Sequence, residues 1–152
     1  MSAIYLYPSL CFFEGTSVSI GRGTEKPFEV VGAPWMPPGT TSFTPRAGFG
    51  SNHPKHEGEL CQGFDLTNFG RDFIPAIGQI NLFWLLDAYR LCPDGEEFFS
   101  RPDYFDLLAG GPTLREQIIA GRSEEEIREA WEEELRLFKF KRKKYLLYPD
   151  FE

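Results

Sequence analysis

Only three cysteines, Cys11, Cys61 and Cys92, occur in the 152 residues, and no CxxC pair exists. An odd, scattered set excludes a disulfide framework and a zinc site as organising devices. Each of the three sits among apolar neighbours, the setting of a small buried hydrophobe. No apolar run approaches the roughly 20 residues that cross a bilayer. The N-terminus has no basic stretch followed by an apolar core and a small-residue cleavage site. No membrane partner is expected. Positive charge is also scarce: 16 Lys and Arg stand against 23 Asp and Glu, a net charge of −7. That balance disfavours nucleic acid as a partner and leaves a neutral or cationic ligand open.

Several catalytic signatures are missing as well. There is no GxSxG, and Cys11 and Cys61 lie in apolar contexts that raise a thiol pKa, so a serine or cysteine nucleophile has no support. The GRGT of residues 21–24 lacks the spacing of a dinucleotide fingerprint, and no GK[ST] follows it. In HPKHE, residues 53–57, a proline between the histidines breaks the helix that HExxH needs. No metal site and no cofactor are expected.

What is present points to a packed domain. Hydrophobic residues make up 41% and aromatics 16%, enough for a core in a chain of one-domain length. Fifteen glycines and twelve prolines imply long ordered loops. The first half reads as short strands and loops. Ile4-Tyr5-Leu6-Tyr7 is a strand by composition, and so abrupt a start suggests that something once preceded it. A short helix from Pro8 to Phe13 follows, ended by Gly15. Strands are expected at Ser17–Ile20, Phe28–Val31, Ser42–Thr44 and Glu59–Leu66, the last with Leu60, Gln62, Phe64 and Leu66 on one face.

The second half reads as helices. Leu82, Leu85, Leu86 and Tyr89 have helical spacing within 80–91. A short helix over 103–109 ends at Gly110-Gly111. Thr113 to Glu116 and Ser123 to Glu126 are two capping boxes, with Gly121 as a C-terminal glycine between them. The longest helix, about 20 residues, carries a stripe of Ile127, Trp131, Leu135 and Phe138. Its acidic start and basic end complement the helix dipole and read as a solvated helix end. Tyr145 to Pro149 is expected as a final strand or an arm on the core. Strands first and helices later make one α+β domain.

The candidate site lies in LCFFEGTSVSIGRGTEKPF, residues 10–28. Glu14, Thr16, Ser19, Arg22 and Thr24 combine a carboxylate, hydroxyls and a guanidinium, with glycines that let a ligand approach the backbone. Such a set reads a sugar or a carboxylate-bearing ligand, and a Glu14–Arg22 ion pair pinning two loops is the structural alternative. Lys55 and His56 are second candidates, as ligand donors or as a satisfied turn. Glycoside hydrolysis needs two carboxylates facing across a sugar. Glu14 supplies one. Spacing does not choose a second among Glu57, Glu59, Asp65 and Asp72.

YLYPSLCFFEGTSVSIGRGTEKPFEVVGAPW strongly resembles the start of the C-terminal domain of the NamZ-type exo-β-N-acetylmuramidases, long catalogued as a bacterial domain of unknown function. The likeness continues through NHPKHEGELCQGFDL, INLFWLLDAYRLCPD and LREQIIAGRSEEEIREAWEEELRLFKFKRKKYLLYPDF, nearly the whole chain. The resemblance implies a glycoside hydrolase of about 400 residues that releases N-acetylmuramic acid from the non-reducing end of peptidoglycan fragments. It implies a Rossmann-like N-terminal domain that carries the catalytic carboxylates, with the active site between the two domains. The 152 residues are then one domain, lacking that catalytic partner and not active alone. Glu14, Thr16, Arg22 and Thr24 match the family's EGT…GRGT motif and are carried over as substrate-binding residues. Lys55 and His56 match PKHEG. Arg22 would clamp the lactyl carboxylate of muramic acid, and Trp35 or Phe43 would stack on a sugar face. An exported or cell-envelope parent is implied, its signal lying outside this chain. The alternative is a stand-alone module that binds cell-wall sugars.

Overall fold

The computed structural model describes residues 1–149. Helices α1 (Ser2–Leu10), α2 (Thr67–Asp72), α3 (Ile74–Ile77), α4 (Phe83–Leu91), α5 (Pro102–Ala109), α6 (Thr113–Ile119) and α7 (Glu124–Arg142) surround a sheet of β1 (Val30–Ala33), β2 (Thr41–Phe43) and β3 (Cys61–Asp65). The sheet is antiparallel in the order β1-β3-β2, with Val31 opposite Phe64 and Thr41 opposite Gly63. Strands fall in the first half and most helices in the second, so the α+β class holds. One apolar cluster joins α1 (Leu6, Leu10), the 3-10 turn after it (Phe12, Phe13), β1 (Val31), α4 (Leu85, Leu86), α5 (Phe105), α6 (Ile118) and α7 (Ile127).

The first expected strand is a helix. Ser2, Leu6, Ser9 and Leu10 are its buried residues, a 3.6-residue period, whereas Ile4, Tyr5 and Tyr7 face outward. Packing of Leu6 against Gly70 of α2 outweighs the strand preference of the β-branched and aromatic residues. Ser17–Ile20 forms no named strand, only a bridge in which Ser19 and Gly32 exchange two backbone hydrogen bonds. Val18, Ser19 and Ile20 are all buried, so the segment has no outer face to alternate with. In β3 the fully buried side chain is Cys61, while Leu60 is exposed before the strand and Leu66 is buried after it. The expected apolar face is therefore broken at Leu60.

The capping box at Thr113 does not form. Pro112 adopts helical angles and is the N-cap, which places Thr113 inside the helix with no side-chain cap. Gly121 follows the C-cap with φ of 71°, as its position suggested. The second box is complete: the Ser123 hydroxyl accepts from the Glu126 N–H, and the Glu126 carboxylate accepts from the Ser123 N–H. Ser123→Ala removes one orphan-donor partner at the start of α7 and is expected to cost about 1 kcal/mol, read as a lower denaturant midpoint at unchanged slope.

The α7 stripe divides. Ile127 is buried and Trp131 partly so, but Leu135 and Phe138 are exposed. The Tyr145–Pro149 segment is not a strand among the described residues. Tyr145 closes a 3-10 turn, and Leu147 and Tyr148 stand in solvent rather than on the core.

Candidate functional site

The polar loop begins where α1 passes into a 3-10 turn, Cys11–Gly15. Phe12 and Phe13 turn into the core, which leaves Glu14 at the rim. Thr16 ends the turn. Its side chain is fully buried, donating to the Phe13 carbonyl and accepting from the Val18 N–H. After the Ser19–Gly32 bridge the chain reverses through Gly21-Arg22-Gly23-Thr24. Gly23 has φ of 81°, and a Cβ there would lie 2.6 Å from the Arg46 carbonyl oxygen. Only glycine permits that approach, and the Arg46 N–H uses it to donate to the Gly23 carbonyl. Thr24 closes the reversal, its hydroxyl donating to Gly21 and accepting from the Lys26 N–H.

Glu14 and Arg22 meet as an ion pair at 3.6 Å, with side chains 19% and 44% exposed. The Arg22 guanidinium also lies over the Phe28 ring, 4.8 Å from its centroid. Held from two sides, it still has open edges for a carboxylate or a row of hydroxyls. Phe28 itself adopts φ of 62°, a left-handed conformation that is uncommon for a bulky side chain. Glu14, Ser19, Ile20, Arg22, His53, Pro54, Lys55 and Arg101 line a pocket of about 340 Å³. Glu14 is the only carboxylate among these residues. The domain is acidic, but this pocket is ringed by cations, which suits an anionic group.

Lys55 reaches beneath the loop rather than across it. Its ammonium shares its three N–H donors among the carbonyls of Phe13, Glu14, Thr16 and Val18, with Phe13 and Thr16 the nearest. Burial lowers its pKa to about 8. The Glu14 charge opposes that shift, and Arg101 and Arg22 add to it. His56 sits beside it, with Nε2 2.6 Å from the Ser17 carbonyl and φ of 56°. The two side chains thus grip successive carbonyls of the loop that carries Glu14.

The structure brings Glu14, Arg22 and Lys55 together at one pocket. Thr24 lies on the far side of Arg22, lining a second pocket, and Thr16 and His56 act from behind the loop. Arg101 was not visible in the sequence. It precedes α5 and belongs to no motif, and it arrives at the pocket because its N–H donates to the Gly15 carbonyl. The second-carboxylate candidates are engaged elsewhere. Asp65 pairs with Lys26 and Asp72 with Arg71, Glu59 lies 3.7 Å from His56 Nδ1, and Glu57 accepts from the Ala47 N–H. Trp35 packs on the core. Cys61 is buried, with its thiol pushed up to about 11 by burial; Cys11 and Cys92 are only partly buried, and all three are free thiols. Among the described residues no three His, Cys, Asp or Glu side chains cluster to hold a metal, and no helix is long and apolar enough to cross a membrane.

An α+β domain with this loop is a class already known. Residues 5–148 match the family model described as exo-beta-N-acetylmuramidase NamZ, C-terminal. The chain belongs to that family. It is 36% identical, over 97% of its length, to the peptidoglycan beta-N-acetylmuramidase NamZ of Bacillus subtilis, and covers 38% of that protein. A crystal structure of a DUF1343 family protein from Bacteroides fragilis superposes with a TM-score of 0.88 at 47% identity, over 97% of this chain and 41% of the other. A second such protein from the same organism, at 20% identity and a TM-score of 0.69 over 95% of this chain and 42% of that one, shares the fold. The chain spans about two fifths of the length of the relatives it matches.

Proposed function

We propose that this domain supplies one wall of the substrate cleft of a peptidoglycan exo-β-N-acetylmuramidase, and that a Rossmann-like N-terminal domain supplies the catalytic carboxylates. The carrying observation is the pocket at Glu14 and Arg22: cationic, half-open, and lined by a single carboxylate. Hydrolysis of a glycoside by the usual route needs two carboxylates on opposite sides of the sugar. Glu14 is the only carboxylate lining this pocket, so the catalytic pair is assigned to the other domain. The similarity to a Bacillus enzyme named for peptidoglycan and N-acetylmuramic acid supports the substrate class.

In this reading Arg22 donates to the lactyl carboxylate of N-acetylmuramic acid at the non-reducing end, and Glu14 accepts from sugar hydroxyls while holding Arg22 in place. Thr16, Thr24, Lys55 and His56 contribute by fixing the loop. A docking surface for the partner domain has candidates too. Beyond Trp131, α7 and the segment after it expose Leu135, Leu137, Phe138, Phe140, Tyr145 and Leu147. Surface of that kind is what a neighbouring domain covers.

The test is turnover of a chromogenic N-acetylmuramic acid glycoside. The chain alone is expected to give none, and the N-terminal domain of a NamZ-type relative added in trans should restore it. Arg22→Ala should then lower restored turnover by about ten- to hundredfold, the worth of hydrogen bonds to a charged group. Turnover by the chain alone, lost in Glu14→Gln, would overturn the divided site.

A further inference from the structure

A second pocket, about 460 Å³, opens on the other side of Arg22 and is lined in part by Thr24, Phe28, Arg46, Phe49 and Ser51. Its outer edge is a tight turn, Gly48 to Ser51, closed by two backbone hydrogen bonds of 2.9 and 3.0 Å between those end residues. Phe49 stands at the apex of this turn, fully exposed. The turn is braced at its base, where the Ala47 N–H donates to Glu57 and the Arg46 N–H donates to Gly23. An aromatic ring in water on a short, doubly bonded turn has its apolar face free and its backbone already ordered. Arg22 and Arg46 line the same pocket. The sequence reading selected neither Arg46 nor Phe49, and the first pocket uses neither.

We propose that Phe49 and Arg46 form a subsite for a carboxylate-bearing amino sugar. The Phe49 ring packs on the apolar face of the pyranose, and Arg46 shares the sugar's carboxylate with Arg22. This rests on the reading of the Arg22 pocket as a substrate wall and specifies how the sugar lies on it. The chemistry follows from the parts. A flat aromatic face and C–H-rich sugar face exclude water from each other. Two guanidiniums from different turns meet one carboxylate with planar, charge-assisted hydrogen bonds. A neutral sugar would use the ring alone. The pair of arginines therefore sets selectivity for the acid, and the aromatic sets affinity for any amino sugar.

The experiment is titration of the 152-residue chain by heteronuclear NMR with two probes, N-acetylmuramic acid and N-acetylglucosamine, which lacks the lactyl group. N-acetylmuramic acid at millimolar concentration should shift the amides of residues 46–51 together with those around Arg22. Phe49→Ala should weaken both sugars by about five- to tenfold, and Phe49→Trp should restore them. Arg46→Ala should leave N-acetylglucosamine unchanged and remove the preference for N-acetylmuramic acid, about tenfold in the parent chain. Both side chains are exposed, so the remaining spectrum should not move. Shifts confined to Glu14 and Arg22, with both variants binding as the parent does, would overturn the subsite and leave the substrate-wall reading intact. No shifts with either sugar would overturn both.

Discussion

Lys55→Met should destabilise the domain by about 3–5 kcal/mol, a large share of the 5–15 kcal/mol that typically separates folded from unfolded chains. Methionine is unbranched like lysine and one atom shorter, so it keeps most of the packing of the stem and removes the donor. The ammonium lies within reach of four carbonyl oxygens, those of Phe13, Glu14, Thr16 and Val18. These carbonyls converge because the 3-10 turn ends at Gly15 and the chain runs on without entering a sheet. In the variant they would face a terminal methyl group. Leaving buried acceptors unpaired costs about 1–3 kcal/mol for each that water does not reach. Denaturant unfolding reads the change, and an unchanged midpoint would show that the loop stands without its ammonium.

The same lysine makes a pH signature. Its pKa is lowered by burial to about 8 in the folded protein, while the unfolded chain titrates near the ordinary lysine value of 10.5. Between those values the unfolded state binds more protons than the folded one. Stability from this group therefore rises as pH climbs through that window, and below about 8 the cost of burying the charge is fully present. Lys55→Met should lack that rise. At neutral pH the group remains mostly protonated, so the carbonyls are served by a charged donor.

How far the sequence foretold this arrangement depends on the scale of the forces involved. Local signals held where one local interaction decides the outcome. Ser123 and Glu126 cap α7 as their spacing implied, and Gly110, with φ of 83°, ends α5. Leu85 and Leu86 are buried along α4, and Leu82 at its N-cap. The Thr113 box failed locally, at Pro112, but other expectations that failed were settled by distant partners. Ile4 to Tyr7 has strand composition, yet Leu6 packs on Gly70, more than sixty residues away in sequence (residue 6 against residue 70). Leu135 and Phe138 continue the α7 stripe in sequence, but the core ends before them. At the site, the motif exposed Glu14 and Arg22 because both lie on one loop. Arg101, Arg46 and Phe49 come from other segments and have no motif of their own. Net charge misled for a related reason: a chain at −7 still gathers Arg22, Arg46, Lys55 and Arg101 around neighbouring pockets. A total says nothing of where its parts are placed.

Gly15→Ala should cost about 3 kcal/mol and disable the site along with the fold, the upper range for overpacking a close contact. The residue adopts an ordinary backbone conformation, so strain in φ is not the cause. Space is. A Cβ built there would lie 2.5 Å from the Phe105 Cβ, 2.7 Å from its Cα and 2.8 Å from its backbone nitrogen. Two of those three atoms are main chain of α5, so no rotamer change relieves the clash. Phe105 is itself fully buried, and the junction is tied by the Arg101 N–H donating to the Gly15 carbonyl and the Ser17 N–H donating to Phe98. Relief requires sliding α5 outward or pushing the 3-10 turn into the pocket. The first opens the core and the second moves Glu14, the adjacent residue. For a domain of this length, about 3 kcal/mol lowers the melting temperature by about 6–12 °C. Gly48→Ala is the matched control, since no atom outside its neighbours lies within 4 Å of a Cβ there and its φ is not left-handed. That variant should melt with the parent chain. Equal melting of Gly15→Ala and Gly48→Ala would mean that α5 slides freely on the turn, and the rigid placement of Glu14 and Arg101 by that contact would be wrong.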